Sequence, residues 1–309
     1  MEEDSFIAVI VAIGFLYVSG LVIHSFVIGV NVTDWLKRRP LTTAEHIITF
    51  LFIAKLHFQL FGLVDTIWSI FWEEISVTYM ITSNLADWTL HASVWLSALL
   101  SVVYCLKICH FHNPVITHVK RIISSGIFPL ITACVLISAG YSSTCLLINL
   151  FTSPNKSYEN ETFENTVDNW EYHLDLFFYV VIITISFVSS TLIIITLCHH
   201  VYQMRSNQNL SKHLVAYFKT IKFTIVSFLS CLLCIVIGIT VKSWINTIGF
   251  EWVYLLWNVF WNLQSICLIW VTTRLRNRFP QIFLTGANCF LNRISSKPNN
   301  GVQIETMSP

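Results

Sequence analysis

Seven apolar stretches, each long enough to cross a bilayer, are separated in this chain by polar segments whose charge alternates in sign. A helix rises about 1.5 Å per residue and the hydrocarbon slab is about 30 Å thick, so a crossing takes about 20 mainly apolar residues. The qualifying windows run from about Phe6 to Val30, Ala44 to Ile70, Asp87 to Ile108, Ile127 to Leu150, Leu174 to Leu197, Val215 to Ser243 and Ile248 to Thr273. Runs of this length without turn residues can only be helices, because lipid offers no partner to an unpaired backbone group. The expected fold class is therefore an all-α membrane protein, a seven-transmembrane helix bundle over residues 1–290 with a disordered tail at 291–309. A water-soluble core is excluded by composition: only 11% of residues are charged and 55% are hydrophobic, against roughly 25% charged in ordinary soluble domains.

Lys and Arg orient the bundle, because basic residues in short loops stay on the cytoplasmic side. Of the 18 basic residues, all but Lys55, Lys156 and Lys242 fall after spans 1, 3, 5 and 7. The amino terminus is accordingly expected outside and the carboxyl terminus in the cytoplasm. Glu2, Glu3, Asp4, Glu73, Glu74, Glu159, Glu161, Glu164, Asp168 and Glu171 then all lie outside. So do the sequons at Asn155 and Asn160, the expected glycosylation sites, whereas those at Asn31 and Asn209 face the cytosol and are expected to stay bare. Acidic residues stand where the basic stretch of a cleavable leader would be, so span 1 is expected to serve as a signal anchor. The nine cysteines fall in spans or on the inner side, and no disulfide across the outer loops is expected. Cys289 is a candidate for palmitoylation, with a free thiol as the alternative. The location implied is the plasma membrane, crossed several times.

Enzyme chemistry finds little purchase. No H-E-x-x-H, G-x-S-x-G or P-loop occurs. His110 and His112 form a loop pair without Cys or carboxylate company, so no metal site or cofactor is expected. No internal repeat of the kind that builds many transporters is visible, and a transporter would need paired intramembrane charges or broken helices. Nucleic acid is not a partner for basic residues pinned to a membrane.

The loop-proximal residues carry a resemblance. Gly20, Phe26, Asn31, Asp34, Trp35 and Lys37 follow the pattern G-x-x-x-N-x-F-I-x-x-V-N-x-x-D-W-x-K, and Thr43 to Thr49 (TAEHIIT) is similar to S-x-D-Q-I-L-T. The longest block, Ser101 to Asn113 (SVVYCLKICHFHN), matches L-S-x-F-Y-x-L-K-I-A-N-F-S. Leu197 to Met204 (LCHHVYQM) looks like L-W-R-H-x-x-Q-M, and Gln264, Ser265, Leu268, Ile269, Arg274, Leu275 and Arg276 occupy an H-S-x-x-L-I-x-x-N-x-K-L-K frame. On these motifs the chain resembles the bitter taste receptors (taste receptor type 2), seven-helix G-protein-coupled receptors, as a divergent member. The related vomeronasal type 1 chemosensory receptors are the nearest competing likeness, and a seven-span transporter is the rival of another class. Family residues are replaced at His24 (Asn), Lys55 (Arg), Gln264 (His) and Thr272 (Asn), all at polar positions of the inner half, which the resemblance implies to be an activation network.

Lys55 is the sharpest single residue, since an ammonium within a membrane must face a partner. A polar site with His24, Thr272 and backbone carbonyls is expected, with snorkelling to the interface as the alternative. Ligand recognition is expected in the outer half, among apolar walls with few polar groups. Candidates are Asp65 and Trp68 on span 2, Trp88 and His91 on span 3, Phe178 and Tyr179 on span 5, Trp244 on span 6, and Glu251, Tyr254, Trp257 and Trp261 on span 7. Tyr254, Trp257 and Trp261 form one helical stripe. The resemblance centres ligand contacts on the outer end of span 3, where Trp88 sits two residues deeper than the family Trp and Leu90 replaces an Asn. Interfacial anchoring is the competing use of Trp and Tyr. Lys107, His110, His200, Met204, His213 and Lys222 would face a heterotrimeric G protein of gustducin type, while anionic lipid is the competing partner of basic residues there. A small-molecule agonist and the G protein are thus the expected partners, and the sequence is compatible with a monomer and with a homo- or hetero-dimer.

Overall fold

In the computed structural model, residues 2–71, 77–108, 126–152, 161–204, 250–272 and 274–281 are described, with scattered positions in 118–123 and 225–236. Six long helices run through them: α1 (Glu2–Leu36), α2 (Thr43–Phe71), α3 (Val77–Ile108), α4 (Phe128–Thr152), α5 (Glu161–Met204) and α6 (Phe250–Val271). A short helix, α7 (Arg274–Gln281), bends away from α6 by 101°. No strand occurs among the described residues. α1 to α5 are each long and apolar enough to cross a bilayer, and α6 with α7 makes a sixth such segment if the bent pair is counted as one. The span expected at Val215 to Ser243 and the tail lie outside the described residues, apart from isolated helical positions of the former.

Helices outrun the hydropathy windows at their polar ends. α1 begins at Glu2 and ends at Leu36, α3 begins at Val77 rather than Asp87, and α5 begins at Glu161 rather than Leu174. Hydropathy registers only the part at lipid depth, whereas backbone hydrogen bonding continues through turns that suit water and headgroups. At 44 residues α5 is about 66 Å long, twice the slab.

Polar and apolar residues are distributed inside out relative to a soluble protein. Val11, Phe15, Leu136, Phe187 and Trp270 are exposed on the bundle's flanks, while His24, Asn31, Asp34, Lys55, Gln59, Asp65 and Gln264 are buried within it. That inversion is what a lipid surround selects, since helix association there relies on packing and interhelical hydrogen bonds rather than on escape from water. α3 is central, packing against α2, α4 and α5, while α1 packs against α2 and α6. α1 to α5 alternate in direction, and α6 runs the same way as α5. α1 ends, α2 begins and α6 ends together where Arg274 meets Asp34 and Glu45. Phe128 at the start of α4 packs against His46 and Phe50 of α2, and Cys105 of α3 clusters with Leu197 of α5. Lys37, Arg38, Arg39, Lys107, Arg274, Arg276 and Arg278 all lie at this end, hereafter the basic end.

Two local devices shape it. The Arg39 N–H donates to the Asp34 carbonyl (3.0 Å) and the Arg38 N–H to that of Trp35 (2.9 Å), which closes α1 as a Schellman motif. Arg38 occupies its left-handed position, φ 56°, where glycine is the usual residue and a side chain costs about 1–2 kcal/mol. α2 opens on a capping box: Thr42 N–H donates to Glu45 Oε2 (2.7 Å), and Glu45 N–H donates to Thr42 Oγ1 (3.3 Å).

Candidate functional site

A polar seam runs along α1, α2 and α6 at three levels. At the basic end the Arg274 guanidinium, at the junction of α6 and α7, is held by Asp34 of α1 and Glu45 of α2, with Arg278 Nη2 3.8 Å from Asp34. Glu45 thus uses one carboxylate oxygen for the capping box and the other for Arg274. One turn above Asp34, the buried Asn31 donates from Nδ2 to Thr49 Oγ1 (2.9 Å), so its amide is occupied.

The middle level is built around Ser265. Its hydroxyl donates to the Trp261 carbonyl (3.0 Å), Lys55 Nζ donates to its oxygen (3.1 Å) and His24 Nε2 lies 3.0 Å from it. A hydroxyl has one proton and two lone pairs, so this arrangement makes Nε2 the protonated nitrogen of His24. Lys55 Nζ also donates to Gln264 Oε1 (2.8 Å) and sits 4.6 Å from the centroid of the Trp261 ring, within cation–π range. The residue is only 1% exposed, so the side chain runs across the bundle and does not snorkel to an interface. His24, Lys55 and Gln264 are therefore brought together as three helices' contributions to one site. Thr272 lies roughly two turns nearer the basic end and its hydroxyl donates to the Leu268 carbonyl of its own helix.

The third level is the tightest. Asn262 Nδ2 donates to the Leu16 carbonyl of α1 (2.9 Å), and Gln59 Nε2 of α2 approaches Asn262 Oδ1 (3.4 Å). A Cβ on Gly20 would stand 2.6 Å from Gln59 Nε2 and 2.7 Å from Asn262 Oδ1, so a side chain there would have to push both amide ends aside. Beyond it Tyr17 and Thr66 join hydroxyls at 3.3 Å, and buried Asp65 lies within electrostatic reach of Tyr17 and Tyr79.

A second cluster gathers α3, α4, α5 and α6 through rings. His91 stacks on Tyr179 (5.9 Å) and leans on Tyr141 (4.6 Å), while its Nδ1–H donates to the Asp87 carbonyl (2.7 Å). Leu90, Val94, Ala98, Tyr179, Ile182 and Trp261 pack as one buried group with Trp257 against them. Trp88 points elsewhere: its indole N–H donates to the Val135 carbonyl of α4 (3.2 Å), and Asn84 Nδ2 likewise donates to the Ser142 carbonyl (2.6 Å).

Of the residues expected to meet ligand, the structure thus joins His91, Tyr179 and Trp257, sets Asp65 on the α1–α2 side, and turns Trp88 to α4. Trp68 is half-buried on α2. Glu251 and Tyr254 lie in the first turns of α6, and His200 and Met204 in the last turns of α5. Lys107 is exposed at the end of α3. Trp244, His110, His213, Lys222, Asn155, Asn160, Asn209 and Cys289 lie outside the described residues. No group of three metal-ligating side chains occurs among the described residues, and none of the five cysteines described there forms a disulfide.

Sequence reasoning missed Ser265 as the hub, Gly20 as a contact point, and the Asp34–Arg274–Glu45 cluster. The spacing Thr42-x-x-Glu45 is a readable cap signal that would have marked one member. The others show no local signal, since their partners lie on distant helices.

Comparison with known proteins adds an independent observation. The sequence model of the taste receptor protein family (TAS2R) matches residues 1–287. The chain is 27% identical over 284 residues to taste receptor type 2 member 50 of Pan troglodytes, covering 85% of this chain and 92% of the relative. It is 25% identical over 290 residues to the putative taste receptor type 2 member 33 of Homo sapiens, covering 87% and 91%. With taste receptor type 2 member 3 of Gorilla gorilla gorilla it shares 27% over 211 residues, covering 64% and 66%.

Proposed function

From the premise that this chain belongs to the taste receptor protein family, TAS2R, we propose that it is a seven-span bitter taste receptor of the plasma membrane. It binds small bitter compounds in the outer half of its bundle and activates a gustducin-type heterotrimeric G protein at the cytoplasmic face. The observation that carries this reading is the family match over residues 1–287, which takes in every helix described. In this reading the amino terminus lies outside, the basic end meets the cytosol, residues 1–290 form the receptor domain, and Asn155 and Asn160 carry sugar. Asp65, Trp68, His91, Tyr179, Trp244, Glu251, Tyr254 and Trp257 are the ligand candidates, with His91, Tyr179 and Trp257 favoured by their convergence and Trp88 set aside because its indole bonds to α4. Lys107, His110, His200, Met204, His213 and Lys222 face the G protein.

Activation is a population shift, driven by the difference in an agonist's affinity for two bundle states. His24, Lys55 and Gln264 belong to the network that changes, supported by the way Ser265 and its neighbours join three helices through side chains alone, and Thr272 is counted with them on the family resemblance. The test is calcium release in cells supplied with a compatible G protein and challenged with structurally varied bitter compounds. Concentration-dependent, receptor-dependent responses are expected; tracer uptake without such responses would replace the receptor with a transporter.

A further inference from the structure

The basic end carries exposed charge that the polar seam does not use. Asp34 and Glu45 are both engaged by Arg274, so these carboxylates are committed to the seam. Lys37, Arg38 and Arg39, immediately after α1, are all exposed, and so is Arg276 on α7. α7 is held against α1 by the edge-to-face contact of Phe279 with Phe26 (5.2 Å) and by Arg278 beside Asp34. The two basic segments therefore lie at one edge of the bundle.

Two further features mark this edge as a lipid seat. Trp35 and Leu36, the last residues of α1, are 63% and 71% exposed directly beside the three cations. An indole and a leucyl side chain next to Lys and Arg match the boundary between acyl chains and headgroups. The other feature is Arg38 itself, which holds the left-handed position of the Schellman motif at φ 56°. Glycine adopts that conformation without strain and arginine does not. A strained side chain kept at an exposed cap points to a use for its charge.

We propose that Lys37, Arg38, Arg39 and Arg276 bind the headgroup of an anionic phospholipid whose acyl chains lie along Trp35 and Leu36. The site is additional to agonist and G-protein binding and stands whether or not the chain signals. In the orientation proposed above it faces the cytoplasmic leaflet, the anionic one.

The test titrates the purified full-length chain in detergent with phosphatidylinositol bisphosphate, phosphatidylserine or phosphatidylcholine and counts bound lipid by native mass spectrometry. Preference for the anionic lipids is expected. Lys37→Gln, Arg38→Gly and Arg39→Gln should each weaken their binding about fivefold, and the triple variant about a hundredfold. Arg38→Gly is the decisive variant, because glycine suits the cap: it should raise the melting temperature while lowering lipid binding, a pair of effects that loss of structure cannot produce. Unchanged lipid binding in Arg38→Gly and the triple variant would overturn the proposal. So would soluble inositol trisphosphate binding as tightly as the lipid, since Trp35 and Leu36 would then contribute nothing. Intact lipid binding with lost G-protein activation would assign the surface to a protein partner instead.

Discussion

Between α1, α2 and α6 the polar contacts run mainly from side chain to side chain: Arg274 to Asp34 and Glu45, Lys55 to Gln264 and Ser265, Gln59 to Asn262, with the Asn262 amide on the Leu16 carbonyl as the exception. Between α3, α4 and α5 they run from ring to ring, or from a side chain to a backbone carbonyl, as with His91 on Tyr179 and Trp88 on Val135. The difference lies in tolerance. A side-chain pair needs both helices in one rotation and one register, so a small slide breaks it and a different pairing replaces it. Stacked rings and helix carbonyls accept such slides with little loss. The seam is thus suited to having two discrete arrangements, and the aromatic side to serving as a fixed wall.

The largest effect should come from emptying one side of the half-buried ion cluster. Arg274→Met leaves Glu45 and the buried Asp34 without their shared cation and should cost about 3 kcal/mol, the low end for breaking a buried pair. The measurement is the melting temperature of purified receptor beside Arg276→Met, an exposed control. Equal shifts in the two variants would dissolve the distinction between seam and surface.

Lys55→Met keeps the unbranched side chain against Trp261 and removes two hydrogen bonds, an expected loss of about 1.5–3 kcal/mol for a charged donor. If the seam takes part in switching, agonist-evoked calcium release should fall further than surface labelling does. Intact expression with intact signalling would remove Lys55 from the mechanism.

A pair of glycines sharpens the contrast at smaller scale. Gly20→Ala drives a methyl into Gln59 and Asn262 and should cost about 1–3 kcal/mol. Gly140→Ala on α4 meets nothing within 4 Å and should stabilise its helix by about 0.5–1 kcal/mol. Opposite signs in thermal melts are the expected outcome, and a shared sign would mean that α1 is free to draw back.

The smallest change is expected from Trp88→Phe, which deletes the bond to the Val135 carbonyl and should cost about 0.6 kcal/mol, typical of an interhelical hydrogen bond in a membrane. With the indole turned to α4, agonist potency should hold. A tenfold loss of potency would restore Trp88 to the ligand pocket.

Much of the helical layout was legible in the residues alone. The fourth span, read as Ile127 to Leu150, is Phe128–Thr152, and the second, read as Ala44 to Ile70, is Thr43–Phe71. Hydropathy located these because the requirement for lipid is met residue by residue along one dimension. The extra turns of α3 and α5 escaped it because polar helix and polar loop have the same hydropathy. In the site, Lys55 could be marked as needing a partner but not matched to one: Gln264 and Ser265 are 209 and 210 residues away. Thr272 illustrates the converse, since its hydroxyl finds a carbonyl one turn back on its own helix. Trp88 carried an aromatic signal whose direction depends on where α4 lies.

The linear order of residues determined that this is a bundle of apolar helices, where each lies in the chain, and which family it resembles. Tertiary structure alone decided which polar groups meet. A helix's length and lipid affinity are sums over its own residues, but a hydrogen bond across the bundle depends on the rotation, depth and tilt of two helices at once. Those quantities are set by packing among all of them.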